Sequence, residues 1–142
     1  MHKEAEKFIS QIRFMIDNLG LKPRGVIESV PDVVAFGDSE LIYEYAILVE
    51  DYSKTHDLGT GVKDKLIKQL AEGISASHGS KFLYQFEVKF PNFATEKIAR
   101  RIMKIGNEEY IELFAKLIEM PVEDFKQTFS GEEKEKSEPE SA

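Results

Sequence analysis

Lys97, Arg100, Arg101 and Lys104 fall at offsets of 0, 3, 4 and 7, so on a helix they form one cationic stripe. Such a stripe makes and breaks no bonds. Its chemistry is charge, and it attracts an acidic protein surface or a phosphate backbone. Lys65 and Lys68 occupy the positions of Lys97 and Arg100 in an earlier matching segment. If the two segments pack side by side, the stripe widens into a two-helix patch. A third matching segment carries Asp124 and Gln127 at those places, which ends the patch there. Tyr43 and Tyr84 also match each other, beside a core stripe. That position suits interface anchoring or packing between repeats.

The residues that serve covalent or metal chemistry are poorly placed. His2, His56 and His78 show no Glu-x-x-His or His-x-x-x-His spacing, so a helix-borne metal site lacks its ligands. Gly59-Thr60-Gly61-Val62-Lys63 has the glycines of a phosphate cradle but not the Gly-x-x-x-x-Gly-Lys-(Ser/Thr) pattern. It reads as a flexible insertion. Glu108, Glu109, Glu112, Glu123 and Asp124 supply carboxylates in number. On amphipathic helices these form solvated faces and favour helix N-termini, whereas acid–base work needs two of them in a dry cleft. There is no Cys, which excludes disulfides, thiolate zinc and thiol nucleophiles. No catalytic residue, cofactor or metal is expected.

The elements that must position the stripe belong to one domain. The chain has 142 residues, of which 42% are hydrophobic, enough for a sizeable core. Its 19 Lys+Arg against 26 Asp+Glu leave a net charge of −7, which argues against general binding to nucleic acid or anionic membranes. No stretch approaches the roughly 20 apolar residues of a membrane span. Met1 to Lys7 is charged on both signs and is no signal peptide, so cytoplasmic residence is expected. Residues 132–142, EEKEKSEPESA, contain no large apolar side chain and are expected to be a disordered acidic tail. Residues 1–131 form the domain.

That domain contains a repeat. Ser39–Val49, Ser80–Phe90 and Glu108–Ile118 align without gaps. Apolar residues coincide at Leu41/Phe82/Tyr110, Ile42/Leu83/Ile111, Tyr45/Phe86/Phe114 and Val49/Phe90/Ile118. These offsets of 1, 4 and 8 trace a single helical face. Asp38, Gly79 and Asn107 precede the three segments and suit helix starts. A second set follows, with Leu66/Ile98/Phe125 and Leu70/Ile102/Phe129. Thr95 suits an N-cap, and Pro121 a first turn. Each unit is therefore helix A, turn, helix B. Extra residues in the first of these units fall around Asp51–Gly61 and Ser75–Gly79. An earlier, degenerate unit pairs Phe8, Ile9, Ile12 and Ile16 with a short helix over Val30–Phe36, as terminal repeats often do. Phe82, Tyr84, Phe86, Val88 and Phe90 alternate as in a strand, but their alignment to two helical segments favours helix. The expected fold is all-α, about four stacked hairpins in a compact solenoid-like array.

Gly37-Asp38-Ser39-Glu40-Leu41-Ile42-Tyr43-Glu44-Tyr45-Ala46 and Gly106-Asn107-Glu108-Glu109-Tyr110-Ile111-Glu112-Leu113-Phe114-Ala115 carry the pattern best. The middle copy departs from it, with Glu87 where the others have Ala46 and Ala115. The pattern resembles short α-helical tandem repeats of the HEAT-like or α-solenoid kind, found in uncharacterised phage and bacterial proteins. That resemblance spans about Gly37–Gly131 and implies binding, not catalysis. The expected function is a protein-interaction module, pictured as a phage-encoded modulator of a host or defence protein. Its candidate contact residues are Lys65, Lys68, Lys97, Arg100, Arg101, Lys104, Tyr43 and Tyr84. Nucleic-acid association through the basic face and a role in virion assembly are the alternatives.

Overall fold

A computed structural model describes residues 1–131, and the expected acidic tail lies outside the described residues. Among the described residues the regular structure is helical throughout: α1 (Lys3–Leu19), α2 (Pro23–Glu28), α3 (Val30–Phe36), α4 (Ser39–Ser53), α5 (Val62–Ile74), α6 (Ser80–Lys89), α7 (Thr95–Ile105), α8 (Glu108–Leu117) and α9 (Val122–Phe129). The alternating stretch Lys81–Phe90 is helix up to Lys89. Its period of two is overruled because Leu83 and Phe86, three apart, are the fully buried pair.

The starts and stops follow from local chemistry. Asp38 caps α4 by accepting from the Leu41 amide, and Asn107 caps α8 by accepting from the amides of Glu109 and Tyr110. The glycine before each cap ends the preceding helix. Gly37 (φ 68°) and Gly106 (φ 84°) adopt the left-handed conformation that residues with a Cβ avoid. A Gly-Asp or Gly-Asn pair therefore closes one helix and opens the next. Gly79 takes the N-cap place of α6 for another reason. A Cβ there would sit 3.1 Å from the Ser39 Cβ and would overlap its hydroxyl, so only glycine lets α6 start beside α4.

Three local expectations are corrected. Thr95 is the first residue of α7, with Ala94 at the N-cap, and its hydroxyl donates to Glu87. Pro121 is the N-cap of α9, one residue ahead of the first turn. Part of the insertion expected as loop from Asp51 is helix, because α4 continues to Ser53 and buries Tyr52. The reason is packing: the Tyr52 hydroxyl donates to the Leu21 carbonyl at 2.7 Å. Tyr45 donates likewise to Val26 at 2.7 Å, so α4 holds the chain both just before and within α2.

Helix contacts fall into two rows. α4 packs on α1 and α6, and α6 packs on α8. On the other side α5 packs on α3 and α7, and α7 on α9. The hairpin pairs α4–α5, α6–α7 and α8–α9 link the rows. Between them lies the core, where the matched Tyr45, Phe86 and Phe114 are each wholly buried. Burial on that scale stabilises by roughly 1.5–3 kcal/mol per side chain. Leu70 and Ile102 fill the same role from the second row.

Candidate interaction surface

The cationic residues lie on α5 and α7, neighbours in the second row. The Lys68 ammonium is 3.4 Å and the Lys97 ammonium 3.6 Å from the same Glu72 carboxylate. One acid therefore serves two cations from adjacent helices. The alignment matches Lys65 with Lys97 and Lys68 with Arg100, so the acid joins Lys97 to a lysine three residues past its match. Lys68 also donates to the Phe93 carbonyl at 3.2 Å, while Lys65 and Lys104 are exposed.

The two arginines turn opposite ways. Arg100 holds Glu96 at 3.0 Å and donates to the Gly131 carbonyl at 3.0 Å, with its guanidinium 5.8 Å from the Phe129 ring centroid. It thereby ties α7 to the end of α9. Arg101 reaches back to the turn after α5, where Nε donates to Ser77 at 2.7 Å and Nη2 to Ala76 at 2.9 Å. Its donors satisfy the carbonyls of the turn just past the helix end. Of the six cations, Arg101 is thus the one most committed to the fold.

Both tyrosines pack between units. Tyr43 meets Phe82 and Tyr84 meets Tyr110, each with ring centroids 6.0 Å apart. Because Tyr43 aligns with Tyr84 and Phe82 with Tyr110, a single contact recurs along α4, α6 and α8. Both tyrosines are half-buried, so their outer edges reach solvent.

Among the described residues no group of three or more acids and histidines is placed to hold a metal ion. The Nδ1 of His2 accepts from the Glu4 amide, His56 stacks on Tyr52 at 4.0 Å, and His78 lies beside Arg101. Gly59 and Gly61 take positive φ ahead of α5, with the Gly59 amide donating to Asp57. A cleft of about 760 Å³ opens between α1 and α4. Two of the carboxylates lining it are ion-paired, Glu40 with the Met1 amine at 2.9 Å and Glu44 with Arg13 at 3.2 Å. No helix of the described residues is long and apolar enough to cross a membrane.

Glu87 is the buried polar group whose structural role its sequence position hid. It is only 3% exposed, and its Oε2 accepts from the Thr95 hydroxyl at 2.6 Å and the Asn92 amide at 3.1 Å. Asn92 carries a positive φ of 73°, a conformation asparagine tolerates better than most. The carboxylate thus pins the α6–α7 turn from within. Oε1 is buried with no hydrogen-bond partner among the described residues. Burial pushes the pKa of Glu87 up, against the opposing pull of the Thr95 and Asn92 hydrogen bonds. The sequence signal was the break in the Ala46/Ala115 pattern, which marked the place but not the partners. Comparison of the chain with protein-family models, curated proteins and solved structures finds no match in any of the three.

Proposed function

We propose that the chain is a non-catalytic helical-repeat module of the α-solenoid kind that binds an acidic surface of another cytoplasmic protein. The observation that carries this reading is the shared Glu72. Lys68 and Lys97 come from successive hairpins and meet at one carboxylate, so α5 and α7 present a cation-rich band that includes the exposed Lys65 and Lys104. Stacked hairpins commonly offer extended surfaces of this sort to partners. The recurring Tyr43–Phe82 and Tyr84–Tyr110 contacts support equivalence of the units. A protein partner is favoured over a phosphate backbone because Glu72 and Glu96 lie within the band. A nucleic-acid surface gains from uninterrupted positive charge.

The test is capture of partners from a cell extract by the wild-type chain and by Lys97→Glu/Lys104→Glu. Both substituted lysines are exposed, so the fold survives reversal. The expected result is one dominant acidic protein, lost with the double variant and in high salt. An identical profile for the two chains would count against the band as the binding surface. Salt-sensitive binding to DNA or RNA, with no protein captured, would replace the reading with nucleic-acid association.

A further inference from the structure

Along the row of α1, α4, α6 and α8, the first two junctions carry an ion pair between their helices. Arg13 meets Glu44 at 3.2 Å between α1 and α4, and Glu50 meets Lys89 at 3.5 Å between α4 and α6. The α6–α8 junction departs from this. Leu113 and Leu117 stand at the places where α6 carries Gln85 and Lys89, and both leucines are half-exposed. Tyr110, Leu113 and Leu117 fall at offsets of 0, 3 and 7 on one face of α8. The Tyr84–Tyr110 contact turns that face toward α6. From α6 come Tyr84 and, one turn on, Val88, which is 50% exposed. An apolar groove therefore runs between α6 and α8, across the core from the cationic band of α5 and α7. The exposed Lys81, three residues before Tyr84, borders it on α6, and the exposed Glu109, four before Leu113, borders it on α8.

We propose that this groove receives an amphipathic helix of a protein partner, with apolar side chains at i, i+4 and i+7. One flank of that helix carries a carboxylate for Lys81 and the other a cation for Glu109. The apolar stripe from Tyr110 to Leu117 is about 10 Å long, and a helix spacing of about 8–10 Å sets its width. Those dimensions match a short helix laid in a groove. They fall far below the roughly 800 Å² per partner that a stable dimer buries, so a second copy of the domain is not the occupant. Reversing a helix in the groove exchanges its flanks, so the opposed charges of Lys81 and Glu109 select one direction. The chain thus has a second binding face, which does not depend on the reading of the band.

The test is selection of a displayed library of helical peptides on the full-length chain. Enriched peptides should carry bulky apolar residues at i, i+4 and i+7, with an acidic flank and a basic flank. Added to the nitrogen-15-labelled chain, they should shift the amides of Val88, Tyr110, Leu113 and Leu117 and leave those of residues 65–68 and 97–104 unmoved. Leu113→Gln/Leu117→Lys gives α8 the residues that α6 carries at those places, so the fold tolerates it. It should weaken peptide binding at least about ten-fold. Exchanging the acidic and basic flanks of an enriched peptide should weaken it too, and equal binding would overturn the charge assignment. No enrichment over an unrelated protein, or peptides that shift only the amides of the band, would overturn the proposal. So would binding that the double variant leaves unchanged. Self-association of the chain in sedimentation, abolished by the same variant, would put a second copy in the groove instead.

Discussion

At the scale of single residues, Glu87 makes the sharpest prediction. Its pKa is raised above the ordinary 4.5 by burial, so the folded chain holds the proton more tightly than the unfolded one. Stability from this group is therefore fullest below pH 4.5 and falls as pH rises through the folded-state pKa. Glu87→Gln keeps an oxygen to accept from Asn92 and Thr95 but cannot ionise. Thermal unfolding followed from pH 4.5 to 8 should show a smaller decline for Glu87→Gln than for the wild type. Parallel profiles would show that burial of this carboxylate costs nothing. Arg101 and Lys97 form a second contrast. Arg101→Ala removes two charge-assisted hydrogen bonds to the Ser77 and Ala76 carbonyls and should cost about 1–2 kcal/mol, discounted for its partial exposure. Lys97→Ala should stay within about 0.5 kcal/mol. Urea unfolding of the two variants checks the order, and equal losses would deny Arg101 its role at the α5 end.

At the scale of elements, Gly73 shows why a helix interior can require glycine. It sits within α5, where glycine costs about 1 kcal/mol relative to alanine. A Cβ there would lie 2.9–3.0 Å from the methyl groups of Val34 on α3. Valine is stiff at χ1 and cannot swing aside. Gly73→Ala should therefore lower stability by about 1 kcal/mol despite its better propensity, measurable as a lower urea midpoint; a raised midpoint would show that α3 yields freely. The main helices were legible because their apolar faces recur at helical spacing, from Leu41 through Phe125. The Gly-Asp and Gly-Asn junctions were legible because they answer local backbone needs. α2 was not. Pro23-Arg24-Gly25 is a weak helix former, and only Pro at its start and the Arg24–Glu28 pair, 2.7 Å apart, hint at a turn of helix. Hydroxyls of Tyr45 and Tyr52, far along the chain, hold that segment.

For the whole molecule, each interior hairpin contacts the ones before and after it, while α1 packs chiefly on α4. Stability in such an array is spread unevenly, lowest at its ends. Amide hydrogen exchange should be faster in α1 and α9 than in α4, α5 and α7. Uniform protection would mean that the helices of the described residues open only together. The amino-acid sequence by itself determined that the chain is helical, where its main helices run, and which side chains face inward. Apolar spacing and capping residues act over one or two turns, so a linear reading captures them. Only the tertiary structure decided that Lys68 and Lys97 share Glu72, that Arg101 closes a turn while Arg100 holds the exit of α9, and that Glu87 is satisfied at one oxygen and, among the described residues, unpartnered at the other. Those outcomes depend on the distance and angle between helices, which packed side-chain volume sets and no local spacing records.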